Sequence, residues 1–200
     1  MGNEPKLILA SASPRRLQLL KQVCVTPDEV LPADLDERVL PHEKPRDYAL
    51  RVAHEKVEMI AAKRTGALVL GADTAVACGR RILPKTENED VARQCLSLLS
   101  GRAHRVYTAV VLAVPGQSYI FRIVETRVKV RHLNKADIDA YLLSGEWHGK
   151  AGGYGIQGQF AMHIIDMIGS YSNVVGLPLY ETMNILRGAG YLAPETAIRD

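Results

Sequence analysis

The segment Leu7–Leu20, LILASASPRRLQLL, holds the first strand and helix of the chain. Its apolar start predicts a short buried strand over Lys6–Ala10. Ser13 followed by Pro14 is a typical helix start, because serine accepts backbone N–H bonds and proline suits the first helical position. We expect this helix to extend to about Val23. The resulting strand–turn–helix unit is the first of the alternating elements from which we predict the fold.

The rest of the chain continues this alternation. Strands, helices and a long hairpin in this order predict a mixed α/β sheet flanked by helices. Neither an internal repeat nor a linker is visible, so we expect a single domain over residues 1–200. The further predicted elements are a strand near Val30, a helix over Arg46–Arg64, a strand over Ala67–Leu70, a hairpin at Ala75–Leu83, a helix over Glu87–Ser100, strands over Arg105–Val114 and Ser118–Arg131, a helix over Asn134–Ser144, a loop over Gly145–Gln159, a strand over Ala161–Ile168 and a helix over Pro178–Arg187.

Composition excludes several classes of protein. With 47% hydrophobic and 24% charged residues, the chain is typical of globular proteins, and we expect no membrane association because no apolar run approaches 18 residues. The net charge of +3 is too small for a protein that coats nucleic acid, so we expect no nucleic-acid partner. Three cysteines without a CxxC pair favour a reducing compartment and argue against a disulfide framework or a zinc site.

The first turn of the first helix carries two arginines, Arg15 and Arg16. Cations there oppose the helix macrodipole, whereas an anion is stabilised by the free N–H groups. A bound phosphate would account for this arrangement; a solvated pair of arginines at an exposed helix end is the alternative.

Two further charged residues stand in apolar surroundings. Lys56 falls in the middle of the apolar face of the helix Arg46–Arg64, so it either extends its ammonium to water or borders a cleft. Asp73 is predicted at the end of a buried strand, where it is placed to activate a water or hold a divalent metal. Taken alone, it is better explained as a turn aspartate that makes an Asx-type hydrogen bond.

One motif match is rejected. Residues Gly153–Gly158 fit GxGxxG, the dinucleotide-binding fingerprint, which needs a preceding strand and a following helix. Glu146–Lys150 does not have the pattern of a strand. These glycines instead allow the backbone to approach a ligand closely.

Together, seven segments resemble the Maf family of nucleoside triphosphate pyrophosphatases, in the family's order and over nearly the whole chain. These segments are LASASPRR at Leu9–Arg16, HEK at His54–Lys56, LGADTAV at Leu70–Val76, ILPK at Ile82–Lys85, LSGRAHRVYTAV at Leu99–Val110, SGEWHGKAGGYGIQG at Ser144–Gly158 and GSYSNVVGLPL at Gly169–Leu179.

The resemblance implies a fold similar to the inosine triphosphate pyrophosphatases, with two lobes around a cleft. It also implies a cytoplasmic, often homodimeric enzyme that uses a divalent metal, Mg²⁺ or Mn²⁺, and a link to septum formation. Asp73 matches the family's general base, and Glu37 a position that, with Asp73, is a candidate metal ligand. Five residues match positions that bind the triphosphate: Ser11, Arg15, Arg16, Lys56 and Lys85. At Pro84-Lys85-Thr86 the chain departs from the Gly-Lys-Pro or Glu-Lys-Pro common in the family: the lysine is kept, but the residues on either side of it differ.

Within the family, one branch acts on dTTP and UTP and another on 7-methyl-GTP. The residues at the distinguishing positions, Arg15, Thr74 and Gln157, resemble those of the pyrimidine branch. We therefore expect hydrolysis of dTTP and UTP, or of modified pyrimidine nucleotides, to the monophosphate and pyrophosphate. Two alternatives are a nucleotide-sensing or septum-inhibiting binding protein without turnover, and a binder of structured RNA.

Overall fold

The computed structural model describes residues 5–191. Strands and helices alternate along the chain, as the sequence predicts. In chain order they are β1 (Leu7–Ala10), α1 (Pro14–Gln22), β2 (Glu29–Val30), α2 (Pro45–Ala61), β3 (Leu68–Cys78), β4 (Arg81–Leu83), β5 (Lys85–Thr86), α3 (Glu89–Leu99), β6 (Ala103–Ala113), β7 (Ile120–Val130), α4 (Lys135–Leu143), β8 (Lys150–Ala151), a 3₁₀ helix (Gln159–His163), β9 (Ile164–Ile168), α5 (Tyr171–Val175) and α6 (Leu179–Gly188).

Seven strands form one mixed sheet in the order β2-β1-β3-β6-β7-β9, with β4 also paired to β3. Strand β1 is parallel to β2 and β3, whereas the other pairs are antiparallel. Strands β5 and β8 form a separate two-stranded ribbon. The predicted mixed α/β sheet flanked by helices is confirmed.

The sheet has an apolar core on each face. Helix α2 covers one face and packs on alternate residues of β3 and β6, among them Val69, Ala75 and Val111. The opposite residues of the same strands, such as Leu70, face α1, α3, α4 and α6. This division follows from the period of two in a strand, which turns successive side chains to opposite faces.

A gap along one edge of β3 opens the sheet. On the side away from β6, strand β1 pairs with β3 only as far as Gly71, and β4 pairs with it again from Val76. No strand of the described part pairs with Ala72–Ala75 on this side. The sequence predicted that Asp73 ends a strand, which is wrong. Asp73 lies in the middle of β3, which pairs with β6 along nearly all of its length.

Other differences are local. Residues 161–163, predicted as strand, belong to the 3₁₀ helix, so the strand begins at Ile164. The predicted loop Gly145–Gln159 contains the short strand β8, and the five-residue helix α5 was not predicted. Ser13 does precede α1, but its side chain forms no capping bond. None of the helices in the described part has both the length and the apolarity of a membrane span.

Candidate functional site

A cleft of about 480 Å³ opens at the gap in the sheet, within the range of ~300–1,000 Å³ typical of small-molecule sites. Residues of strand β3 and of the segment 146–158 line it. All nine residues singled out in the sequence line it: Ser11, Arg15, Arg16, Glu37, Lys56, Asp73, Thr74, Lys85 and Gln157.

Close packing of α2 on β3 brings Lys56 onto Asp73. A Cβ atom at Gly71 would lie 2.5 Å from a methyl carbon of Val57, so only glycine lets the helix approach this closely. One residue before Val57, the Lys56 ammonium donates a hydrogen bond to Asp73 Oδ1 at 2.7 Å. Both side chains are buried, exposed by only 7% and 4%. Of the two placements left open for Lys56, the structure therefore shows the one that borders a cleft.

Glu37 connects the two lysines of the cleft. Its Oε1 lies 2.6 Å from Lys56 Nζ, and its Oε2 forms an ion pair with Lys85. Burial alone would raise the pKa of Glu37, but the hydrogen bonds and charges of Lys56 and then Lys85 outweigh burial and hold the pKa below its ordinary value. Glu37 is therefore ionised at neutral pH and already compensates part of the positive charge in the cleft.

Arg16 is buried and bound only by uncharged acceptors. It donates from Nε to the carbonyl of Gly176 at 2.8 Å, from Nη1 to Ser11 Oγ at 3.1 Å and from Nη2 to Thr74 Oγ1 at 3.3 Å. Burial lowers the pKa of Arg16, against the attraction of Asp73. Its guanidinium remains charged, because arginine ordinarily titrates above pH 12. Arg16 thus holds three separate segments together and forms no direct ion pair within the described residues.

Arg15 and Gln157 face the cleft in a different way. Arg15 is half-buried, and its pKa is lowered by burial. Gln157 is exposed and makes no hydrogen bond in the described part, so its amide is available to a ligand. Arg15 belongs to α1 and Gln157 follows β8, so distant parts of the chain supply the two residues.

Sequence reasoning missed the residues that support Thr74. Its hydroxyl lies 3.0 Å from that of Thr108 on β6, and Thr108 in turn donates to the carbonyl of Asn173 in α5. Both supporting residues lie inside segments that carry the resemblance, but neither their polarity nor their spacing signals contact with Thr74. Glu146 and Lys150 also line the cleft and were not predicted as site residues.

A protein-family match covers nearly the whole chain. The family model described as Maf-like protein matches residues 6–189. The chain belongs to this family.

Curated relatives cover almost the full length of this Maf-like chain. The dTTP/UTP pyrophosphatase of Caulobacter vibrioides is 56% identical over 96% of this chain and 99% of its own. The protein of the same name from Maricaulis maris is 54% identical over 96% and 91%. Among solved structures, a nucleoside-triphosphatase, dITP/XTP pyrophosphatase, of Mycobacterium abscessus has a TM-score of 0.39 at 18% identity, covering 62% of this chain and 72% of its own.

The carboxylates of the Maf-like cleft fit a divalent cation that is held partly by substrate. Asp73 and Glu37 both contact the Lys56 ammonium, so the two carboxylates lie near each other in the cleft. Across residues 5–191, no group of three or more histidine, cysteine or acidic side chains gathers as a metal site. Mg²⁺ is commonly bound by one or two carboxylates together with substrate phosphates and waters. Two protein carboxylates are therefore sufficient for such an ion.

Proposed function

We propose that this chain hydrolyses dTTP and UTP to the nucleoside monophosphate and pyrophosphate. The observation that carries the proposal is that a buried carboxylate, Asp73, faces the same cleft as the four cations Arg15, Arg16, Lys56 and Lys85. The names of the Caulobacter and Maricaulis relatives, at over 50% identity, support the same activity and substrates.

Five cationic side chains and three carboxylates line the cleft, and this excess of positive charge supports a polyphosphate as the ligand. A nucleoside triphosphate carries about four negative charges at neutral pH, because the second ionisation of a terminal phosphate is near pH 6. Arginine and lysine side chains bind phosphate oxygens through charge-assisted hydrogen bonds. Ser11 adds a hydroxyl beside Arg16, and the N-terminal end of α1, which favours anions, lines the same cleft.

In the proposed reaction, Asp73 is the general base. It accepts a proton from a water that attacks the α-phosphorus, the bond between that phosphorus and the bridging oxygen breaks, and pyrophosphate leaves. Lys56 orients the Asp73 carboxylate through Oδ1, and the cations stabilise the charge that develops on the phosphate oxygens. Asp73 and Glu37 are the residues that would hold Mg²⁺ or Mn²⁺, which when bound supplies charge neutralisation and a more acidic water.

The preference for a pyrimidine is proposed to come from Gln157, with Thr74 and Arg15. Uracil and thymine present two carbonyl acceptors around one N–H donor. A glutamine amide offers both a donor and an acceptor to this edge. Thr74 is small and carries a hydroxyl held by Thr108, which leaves room at the floor of the cleft.

Release of pyrophosphate from a panel of nucleoside triphosphates, with Mg²⁺ or Mn²⁺ added, tests this function. We expect pyrophosphate and UMP from UTP, and pyrophosphate and dTMP from dTTP. Orthophosphate with UDP as the product would instead show cleavage between the β- and γ-phosphates. Tight binding of UTP with no product under any metal would establish a binding protein and contradict the enzyme.

The domain organisation, the oligomeric state and the cellular location are further parts of the proposal. We propose that residues 1–200 form one Maf-like domain, of which residues 1–4 and 192–200 lie outside the described part. We further propose a homodimer acting in the cytoplasm, where nucleoside triphosphates are kept. Light scattering on the eluting protein measures the oligomeric state.

A further inference from the structure

Lys150 is a further charged residue that lines the cleft. It begins β8 and pairs with Thr86 of β5, in the register that sets Lys85 against Ala151. Lys85 and Lys150 are therefore carried by adjacent strands of one ribbon, although 64 positions separate the paired Thr86 and Lys150 in sequence. Thr86 fixes the ribbon by donating its hydroxyl to the carbonyls of Trp147 and Lys150.

Within residues 5–191, the hydrogen-bond partner of the Lys150 ammonium is uncharged. The ammonium donates to the carbonyl of Glu146, whereas the Glu146 carboxylate accepts the backbone N–H of Gln159. Neither Lys150 nor Arg15 forms an ion pair within residues 5–191, in contrast to Lys56 and Lys85.

Lys150 and Arg15 are close enough to repel each other. Burial, and then the charge of Arg15, lowers the pKa of Lys150, with the charge of Glu146 acting in the opposite sense. Both residues line the same cleft, and two neighbouring cations without carboxylate partners raise the free energy of the protein. An anion that lies between them removes this repulsion and gains a charge-assisted hydrogen bond from each.

We propose that Lys150 binds the polyphosphate of the substrate together with Arg15. The identity of the ligand rests on the proposed function, but the geometry of the cation pair does not. Gly155 leaves the space that Lys150 needs, since a Cβ atom there would lie 2.8 Å from Lys150 Cε and 3.1 Å from Cδ. The glycine-rich loop thus allows the lysine stem to cross it toward the cleft.

Calorimetric titration with inorganic tripolyphosphate tests the proposal without turnover. Lys150→Met should raise the Kd about tenfold, the usual worth of one charge-assisted hydrogen bond, and Lys150→Arg should keep most of the affinity. Lys129→Met, which removes an exposed lysine from β7, should bind as the unaltered protein does. Equal Kd values for Lys150→Met and Lys129→Met would overturn the proposal. An equal loss of affinity in Lys150→Met and Lys150→Arg would also overturn it, because it would show a structural role for Lys150.

A second variant covers the case in which Lys150→Met does not fold. Gly155→Ala keeps the charge but pushes the lysine stem aside, and it should weaken tripolyphosphate binding less than Lys150→Met does. An unchanged Kd for Gly155→Ala, with the fold intact by circular dichroism, would contradict the placement of Lys150. If the unaltered protein binds tripolyphosphate but releases no pyrophosphate from UTP, the proposed function fails. The titrations then still decide whether Lys150 binds the polyphosphate.

Discussion

Lys56 Nζ and Asp73 Oδ1 are 2.7 Å apart, and both side chains are exposed by less than a tenth. The pair joins the helix on one face of the sheet to a strand in its middle. A buried ion pair of this kind is costly to desolvate and adds little stability over an apolar pair of the same shape. Its value is positional, because it sets the orientation of the Asp73 carboxylate in a cleft that also holds Arg15, Arg16 and Lys85.

Asp73→Asn should lower kcat for UTP by roughly 10²–10⁴-fold, the usual contribution of a general base. Asparagine keeps the shape and still accepts a bond from Lys56, so the fold and KM should change little. Pyrophosphate release at saturating UTP measures the effect, and Asp166→Asn, on an exposed position of β9, is the matched control. Turnover near that of the control would show that another group is the base.

Lys56→Met should destabilise the fold by about 3–5 kcal/mol, because it leaves the buried Asp73 carboxylate without its partner. Urea unfolding at pH 7 measures this, with the exposed Lys63→Met as the control. Adding Asp73→Asn to the Lys56 variant should recover part of the loss, since the uncompensated buried charge is then removed. If the double variant is as unstable as Lys56→Met alone, the loss of stability comes from packing and not from the unpaired carboxylate.

The local elements could be predicted from the sequence because their signals are local. Pro14 marks the start of α1, and the apolar stripe of α2 places Lys56 toward the core. The length of β3 could not be predicted, since Gly71, Asp73 and Thr74 interrupt its apolar pattern and glycine and aspartate are depleted in strands. The pairing with β6 that carries the strand across them is long-range.

The site was predictable as a set of residues but not as an arrangement. The resemblance named Arg15 and Arg16 together, yet the structure gives them different surroundings. Arg16 bonds to Gly176, 160 positions away, whereas Arg15 is half-buried and lines the cleft together with Lys150. No pattern within the first turn of α1 distinguishes two adjacent arginines, because the difference is made by segments that reach the turn only in the folded chain.

His104 should make stability depend on pH below neutrality. Burial lowers the pKa of His104 to about 4, from an ordinary value of 6.5 in the unfolded chain. The unfolded state therefore takes up the proton first, so stability is full above pH 6.5 and is lost as the pH falls toward 4. From pH 7 to pH 4.5 this single group should cost about 2 kcal/mol.

Comparing His104→Gln with the unaltered protein isolates this contribution. Glutamine does not titrate, and its amide can still bond the Tyr154 hydroxyl, which lies 2.7 Å from His104 Nε2. Urea unfolding at pH 7 and pH 4.5 should show a smaller loss of stability in the variant, whatever its stability at pH 7. Parallel losses in the two proteins would contradict a buried neutral imidazole.

Gln157→Glu should reduce the preference for pyrimidine nucleotides more than it slows the chemical step. The unaltered protein should favour dTTP and UTP over ATP and GTP by at least about tenfold in kcat/KM, because a mismatched base leaves polar groups unpaired at a cost of ~1–3 kcal/mol. A glutamate at this position only accepts hydrogen bonds, so it loses the bond to a uracil carbonyl and faces it with like charge. Gln159→Glu makes the same change two residues away, outside the cleft lining, and should leave the ratio unaltered. Equal hydrolysis of ATP and UTP by the unaltered protein would refute the assignment of Gln157 to base selection, even with pyrophosphate as the product.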